Sequence, residues 1–196
     1  MTREGILLVI SGPSGVGKGT LCTAILKEVS DLVYSISATS RSPRPGEVHG
    51  VNYYFWRRPE FEAKIERDEF LEWATVYGNL YGTPKTQVQE AVKLGKDVIL
   101  EIDIEGARQI KEKFRDGVFV FIAPPSLEEL ARRLTKRGAD SDEEIQRRLN
   151  LASEELDYVS EYDYIVHNDD LESALLKLKS ILLAERCRVR RFRSKF

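Results

Sequence analysis

Nine consecutive residues offer the first chemistry in the chain: Gly12, Pro13, Ser14, Gly15, Val16, Gly17, Lys18, Gly19 and Thr20, spaced as GxxxxGK. Glycines at that spacing let successive backbone N–H groups curl around phosphate oxygens. A helix starting there adds the positive end of its dipole, and the lysine reaches β- and γ-phosphates. A glycine-rich turn could carry the same letters, but here an apolar run precedes the motif and a helical pattern follows it. The hydroxyl residue that usually follows the lysine as a magnesium ligand is Gly19 here, with Thr20 one place later. The metal's protein ligands are therefore unknown, and magnesium is expected to be held mainly by nucleotide phosphates and water. Glu101 and Asp103 end an apolar run at residues 97–103. They suit the second half of such a site, or are simply acids at the solvent end of a strand.

Positioning these residues needs alternating strands and helices, and the pattern supplies them. Residues 6–11 are continuously apolar, as expected of a strand buried on both faces. Residues 18–29 place Leu21, Ile25, Leu26 and Val29 at helical spacing. Residues 97–102 (DVILEI), 118–122 (VFVFI) and 164–167 (YIVH) read as further strands. Ser126 followed by Glu129, and Ser141 followed by Glu144, are capping boxes that open two helices. The second helix carries Ile145, Leu149, Ala152 and Leu156. A last helix from about Asp170 carries Leu171, Leu175, Leu178, Leu182 and Leu183. Such alternation predicts an α/β fold, a parallel sheet flanked by helices. Residues 35–84 break it, being rich in Ser, Thr, Arg, Pro and aromatics. There residues 53–56 and 70–77 read as strands of a small antiparallel insert.

Composition bounds the possibilities. The 196 residues suffice for one α/β domain, and a formal net charge of −2 points to neither a nucleic-acid nor a membrane partner. Two cysteines (Cys22, Cys187) and two histidines (His49, His167) are too few for a disulfide framework or a Cys/His zinc site. A reducing, cytoplasmic setting fits, and the N-terminal apolar run is too short for a signal peptide or a membrane span. Six basic and no acidic residues lie in 186–196. They are read as suiting the dipole of a helix C-terminus, with binding to acidic surfaces or nucleic acid as the alternative.

Four ordered blocks, SATSRSPRPGEVHGVNYYF (37–55), FLEWATVYGNLYGTPK (70–85), LEIDIEGA (100–107) and FIAPPSLEEL (121–130), resemble the guanylate kinases over nearly the whole chain. The resemblance implies a P-loop kinase fold with a core of residues 1–34, 85–125 and 160–196. It further implies a β-rich GMP-binding insert at 35–84 and a short lid at 126–159. It implies ATP with Mg2+ as donor, and GMP or dGMP as acceptor. Arg41, Arg44, Tyr53 and Tyr81 would hold the acceptor phosphate, Ser37, Glu72 and Thr83 would read guanine, and Asp103 would lie near the acceptor or its metal. Hydrogen-bond chemistry agrees: guanine's N1–H and N2 amine suit one carboxylate, whereas adenine's bare N1 would face it acceptor against acceptor.

Transfer develops charge on the moving phosphoryl oxygens, which positioned cations stabilise. Similarity to the family's lid makes Arg137 and Arg148, then Arg133, the candidates beside Lys18. Asn168 falls in a block near the donor nucleotide, although 168–170 also suits a helix N-cap. Two rivals stand beside this reading: a monophosphate kinase of other base specificity, and a non-catalytic protein-binding domain of the same family. The insert argues against the first and the intact loop against the second, while no NKxD motif supports a GTPase. A monomer or small homo-oligomer is expected.

Overall fold

All five residues of the first strand, β1 (Leu7–Ser11), are buried, as an uninterrupted apolar run requires when both faces are covered. The computed structural model describes residues 3–76, 78–136 and 141–192. After β1 come α1 (Lys18–Glu28), β2 (Leu32–Tyr34), β3 (Ala38–Thr39), β4 (Tyr54–Phe55), α2 (Arg58–Glu66), β5 (Phe70–Val76) and β6 (Asn79–Pro84). Then follow α3 (Lys85–Lys93), β7 (Asp97–Glu101), α4 (Ile104–Lys113), β8 (Val118–Ala123), α5 (Leu127–Lys136), α6 (Asp142–Leu156), β9 (Tyr164–His167) and α7 (Leu171–Arg186).

Five strands form one parallel sheet in the order β2-β7-β1-β8-β9. Alternation along β1 divides the core. Leu8 and Ile10 face α1 and α7 through Leu21, Ile25, Leu178 and Leu182. Leu7 and Val9 face α3 and α4 through Val88, Val92, Ala107 and Ile110. The connections leaving the neighbouring strands β1 and β7 run to opposite sides of the sheet, which opens a crevice at their carboxyl ends.

The insert is a second sheet, β4-β3-β6-β5, with its own small core of Ala38, Phe61, Phe70 and Leu80. It is mixed rather than purely antiparallel: β3 pairs parallel with β4 and antiparallel with β6. The long, irregular segment between β3 and β4 returns the chain in the same direction, which a short hairpin cannot do. In α7, Leu178 and Leu182 are buried, but Leu171 and Leu183 are exposed, so its apolar stripe is narrower than its leucines suggest. The helices α5 and α6 bury Leu130, Leu134 and Ala152 between them.

The basic tail turns partly inward. Asp97, fully buried at the start of β7, accepts from Arg3 and Arg186 at 2.6 Å each and from the Ile6 amide at 2.8 Å. Glu185 binds Arg191 at 3.0 Å, Arg188 at 3.1 Å and the Tyr164 hydroxyl at 2.7 Å. A buried carboxylate needs such partners, because an unpaired charge there is strongly destabilising. Arg186, Arg188 and Arg191 are thus structural cations at the foot of the sheet.

Candidate active site

The phosphate loop is a backbone construction. Gly12 has φ +136 and Gly17 has φ +97, conformations that a side chain disfavours. Space forbids one as well: a Cβ would lie 2.2 Å from the Ile122 carbonyl at Gly12 and 2.5 Å from Asn168 Nδ2 at Gly17. Gly17 is the residue before α1 and supplies no side-chain cap, so the helix offers its first N–H groups to an anion. Lys18 Nζ donates to the loop's own carbonyls, to Gly12 at 2.6 Å and Pro13 at 3.0 Å. Burial lowers its pKa, while the charges of Glu101, Glu155 and Asp103 act against that shift.

Asn168 supports this loop from beneath. Buried, it donates from Nδ2 to the Val16 carbonyl at 2.7 Å. The N-cap of α7 is Asp170, whose carboxylate accepts from Ser173 N at 2.9 Å, so of residues 168–170 it is Asp170 that caps the helix. Two candidate arginines approach the loop from α5 and α6. Arg133 on α5 donates to the Asn168 carbonyl at 3.0 Å and to Glu129 at 2.9 Å. Arg148 on α6 reaches Ser14 Oγ at 3.3 Å. Arg137 lies outside the described residues. Thr20 is exposed on the outer face of α1.

Across the crevice, two adjoining cavities of about 290 and 190 Å3 share Ser37, Tyr53, Glu101, Ile102 and Asp103. Lys18 lines the first, and Glu72 and Tyr81 line the second. A larger cleft of about 390 Å3 lies at the opposite end of the strands, between Glu4, Val92, Phe114 and Arg191. We assign the site to the smaller pair because the phosphate loop and the paired acids open there.

Each acceptor candidate has a definite setting. Glu72 on β5 is buried, and the Thr83 hydroxyl donates to its Oε1 at 2.6 Å. Burial pushes the Glu72 carboxyl up to about 7 against that hydrogen bond. Asp103 caps α4, accepting from Gly106 N at 2.8 Å, and a Cβ on Gly106 would lie only 3.2 Å from Glu72 Oε2. Arg41 donates from Nε to the Tyr81 hydroxyl at 3.2 Å and packs 5.7 Å from the Tyr53 ring centre. Arg44 sits apart on an exposed turn, its amide donating to Glu47 at 2.7 Å.

Sequence reasoning passed over Tyr34 and Glu155. Tyr34, at the carboxyl end of β2, lines the cavity with its hydroxyl 3.5 Å from Glu101. Strand order alone could have found it, since β2 ends beside β7. Glu155 on α6 acts electrostatically on both Lys18 and Asp103, and nothing in its surroundings in the sequence marks it. Among the described residues, no three Asp, Glu, His or Cys side chains cluster as a metal site. A Cβ on Gly19 would lie 3.2 Å from Glu101 Oε2, so a carboxylate stands where the missing hydroxyl residue would be.

Comparison with known proteins points one way. A family model described as guanylate kinase matches residues 4–185. A guanylate kinase of Desulfitobacterium hafniense is 57% identical over 189 residues, covering 96% of this chain and 94% of that protein. One from Caldanaerobacter subterraneus is 56% identical, covering 96% and 92%. The crystal structure of guanylate kinase from Anaplasma phagocytophilum superposes with a TM-score of 0.78 at 34% identity, covering 97% of this chain and 90% of that one.

Proposed function

The chain belongs to the guanylate kinase family, and on that premise we propose that it transfers the γ-phosphoryl group of ATP to the phosphate of GMP, and of dGMP. The observation that carries this reading is a buried carboxylate, Glu72, in a cavity that adjoins the one lined by the part-buried ammonium of Lys18. That pairing fits a guanine at one end and a nucleotide polyphosphate at the other.

In this reading Glu72 accepts from guanine N1–H and N2–H, Thr83 holds that carboxylate with its one hydroxyl proton, and Ser37 donates to O6. Arg41, Arg44, Tyr53 and Tyr81 hold the acceptor phosphate. The loop from Gly12 to Thr20 cradles the donor's phosphates, with Asn168 supporting it from below. Arg133 and Arg148, with Arg137, bring cations to the moving phosphoryl oxygens, which is where stabilisation matters most. No general base is needed, because the acceptor is already an anionic oxygen, and transfer is a direct in-line displacement. The lid of α5 and α6 would close over the crevice and keep water from acting as acceptor.

Magnesium fits the donor set in a restricted way. Glu101 and Asp103 line the Lys18 cavity, and a hard cation that keeps several waters could use them through that water. When bound, it would neutralise charge on the β- and γ-phosphates. The reading also includes a cytoplasmic setting, where free Cys22 and Cys187 stay reduced. It needs no membrane, and no helix among the described residues is long and apolar enough to cross one.

The test is turnover of Mg–ATP with GMP, dGMP, AMP, UMP and IMP in turn. GDP formation with strong preference for the guanine nucleotides is expected. Absence of GDP, or equal turnover of AMP, would sink the reading.

A further inference from the structure

Arg41 has five N–H groups, and atoms of the described residues take four of them. Nη1 and Nη2 bind the two oxygens of Glu47 at 2.9 Å each, Nη1 also donates to the Ser42 carbonyl at 2.7 Å, and Nε donates to the Tyr81 hydroxyl at 3.2 Å. Because Glu47 grips the end of the planar fork, the one N–H left is on Nη2, along the edge it shares with Nε. Tyr81 occupies that same edge. Its oxygen accepts from Arg41, so its own proton remains to be given. Tyr53 stands beside both, its ring centre 6.0 Å from that of Tyr81.

The same carboxylate ties the second cation. Glu47 Oε2 accepts from Arg44 N at 2.7 Å, and Glu47 N donates to the Arg44 carbonyl at 3.0 Å. One acid therefore sets both the guanidinium edge of Arg41 and the turn from which Arg44 projects.

We propose that Glu47 is a positioning residue for the acceptor phosphate: it holds Arg41 by the end of its fork, so that the Nε/Nη2 edge with the Tyr81 hydroxyl faces the phosphate, and it fixes the Arg44 turn. This rests on the phosphate-binding roles proposed for Arg41 and Arg44. Two effects oppose each other. A carboxylate near the phosphate repels it, whereas a free arginine must be ordered at each binding event. The bidentate, charge-assisted grip gives the ordering effect the larger weight, since Glu47 touches the edge of Arg41 that the phosphate does not need.

The experiment measures GMP kinetics at saturating ATP for the native protein, Glu47→Gln, Glu47→Ala, Arg41→Ala and the double variant Arg41→Ala/Glu47→Ala. Guanosine, which lacks the phosphate, is titrated separately by calorimetry. Both Glu47 variants should raise the KM for GMP about tenfold with kcat within about twofold, and guanosine binding should not change. Once Arg41 is gone, removing Glu47 should cost only what the Arg44 turn loses, clearly less than the same change costs in the native protein. If Arg41→Ala leaves the KM for GMP unaltered, the underlying phosphate role fails. If Arg41→Ala raises it but the Glu47 variants do not, or lower it, Glu47 is a bystander or a competitor and the proposal is overturned. An equal loss of guanosine affinity would mean a general loosening of the insert, and overturns it too.

Discussion

The two sides of the crevice prepare for anions by different means. On the donor side the binding surface is backbone: Gly12 and Gly17 hold positive φ, α1 presents bare N–H groups, and Lys18 is tethered to two loop carbonyls. On the acceptor side it is made of side chains from a separate sheet. They are already partnered, Arg41 by the charge of Glu47 and Glu72 by the Thr83 hydroxyl. A backbone site is rigid and indifferent to what hangs on the phosphates. A side-chain site carries the chemical detail that tells one base from another, and each of its members must be held by a neighbour.

Removing the one side chain on which the donor side depends should have the largest effect. Lys18→Ala is expected to lower kcat by about a thousandfold or more, roughly 4 kcal/mol of transition-state stabilisation, with GMP affinity by calorimetry little changed. Retention of a tenth of the activity would show that the backbone alone suffices and would sharpen the contrast between the two sides. A smaller loss is expected from Gly17→Ala, which forces a Cβ to within 2.5 Å of Asn168 Nδ2 at φ +97. Its kcat/KM for ATP should fall by about 10- to 100-fold, and adding Asn168→Ala should recover part of it. Unchanged ATP kinetics would break the claim that backbone shape defines this side.

The mildest effect should be a pH dependence on the acceptor side. With the Glu72 carboxyl raised to about 7 by burial, the ionised form that guanine needs is gained as pH rises through that value. The KM for GMP should therefore fall between about pH 6 and 8, and Glu72→Gln should flatten the profile and erode the preference over AMP. Stability runs the other way. A carboxyl with a raised folded pKa favours the free fold below its unfolded value, and that contribution is lost as pH rises through about 7. The loss, spread between about pH 4.5 and 7, is on the order of 3 kcal/mol, and melts of the native protein and Glu72→Gln across that range should diverge accordingly.

The same contrast governs how much could be read from the sequence. The strands β1, β7 and β8 are long apolar runs, and Ser126 and Ser141 accept from the amides of Glu129 and Glu144 at 3.2 and 3.3 Å, as their capping spacing foretells. The backbone loop is legible for the same reason: its conformations demand glycine. Short strands such as β2 and β3 carry too few residues for a period, and α4 starts on the acids of the site and holds Gly106 in its first turn, which hides its helical pattern. Burial of Glu72 is the clearest failure of local pattern. Alternation would put it outward between Leu71 and Trp73, but the register shifts between Phe70 and Glu72. Such an irregularity turns Leu71 and Glu72 both inward and leaves Trp73 37% exposed. Only the matching of whole blocks, not any one residue, led to that carboxylate.

The insert's separate core has a consequence for motion. Phe61 and Phe70 stack at 4.4 Å within a cluster whose buried members otherwise are Ala38 and Leu80, far fewer than line either face of the parallel sheet. A unit with so little buried apolar surface opens at a lower free energy than the body to which it is joined. Its amides should exchange with deuterium ahead of those in β1, β7 and β8, and the insert's half of the crevice can come apart and reform while the glycine loop stays intact.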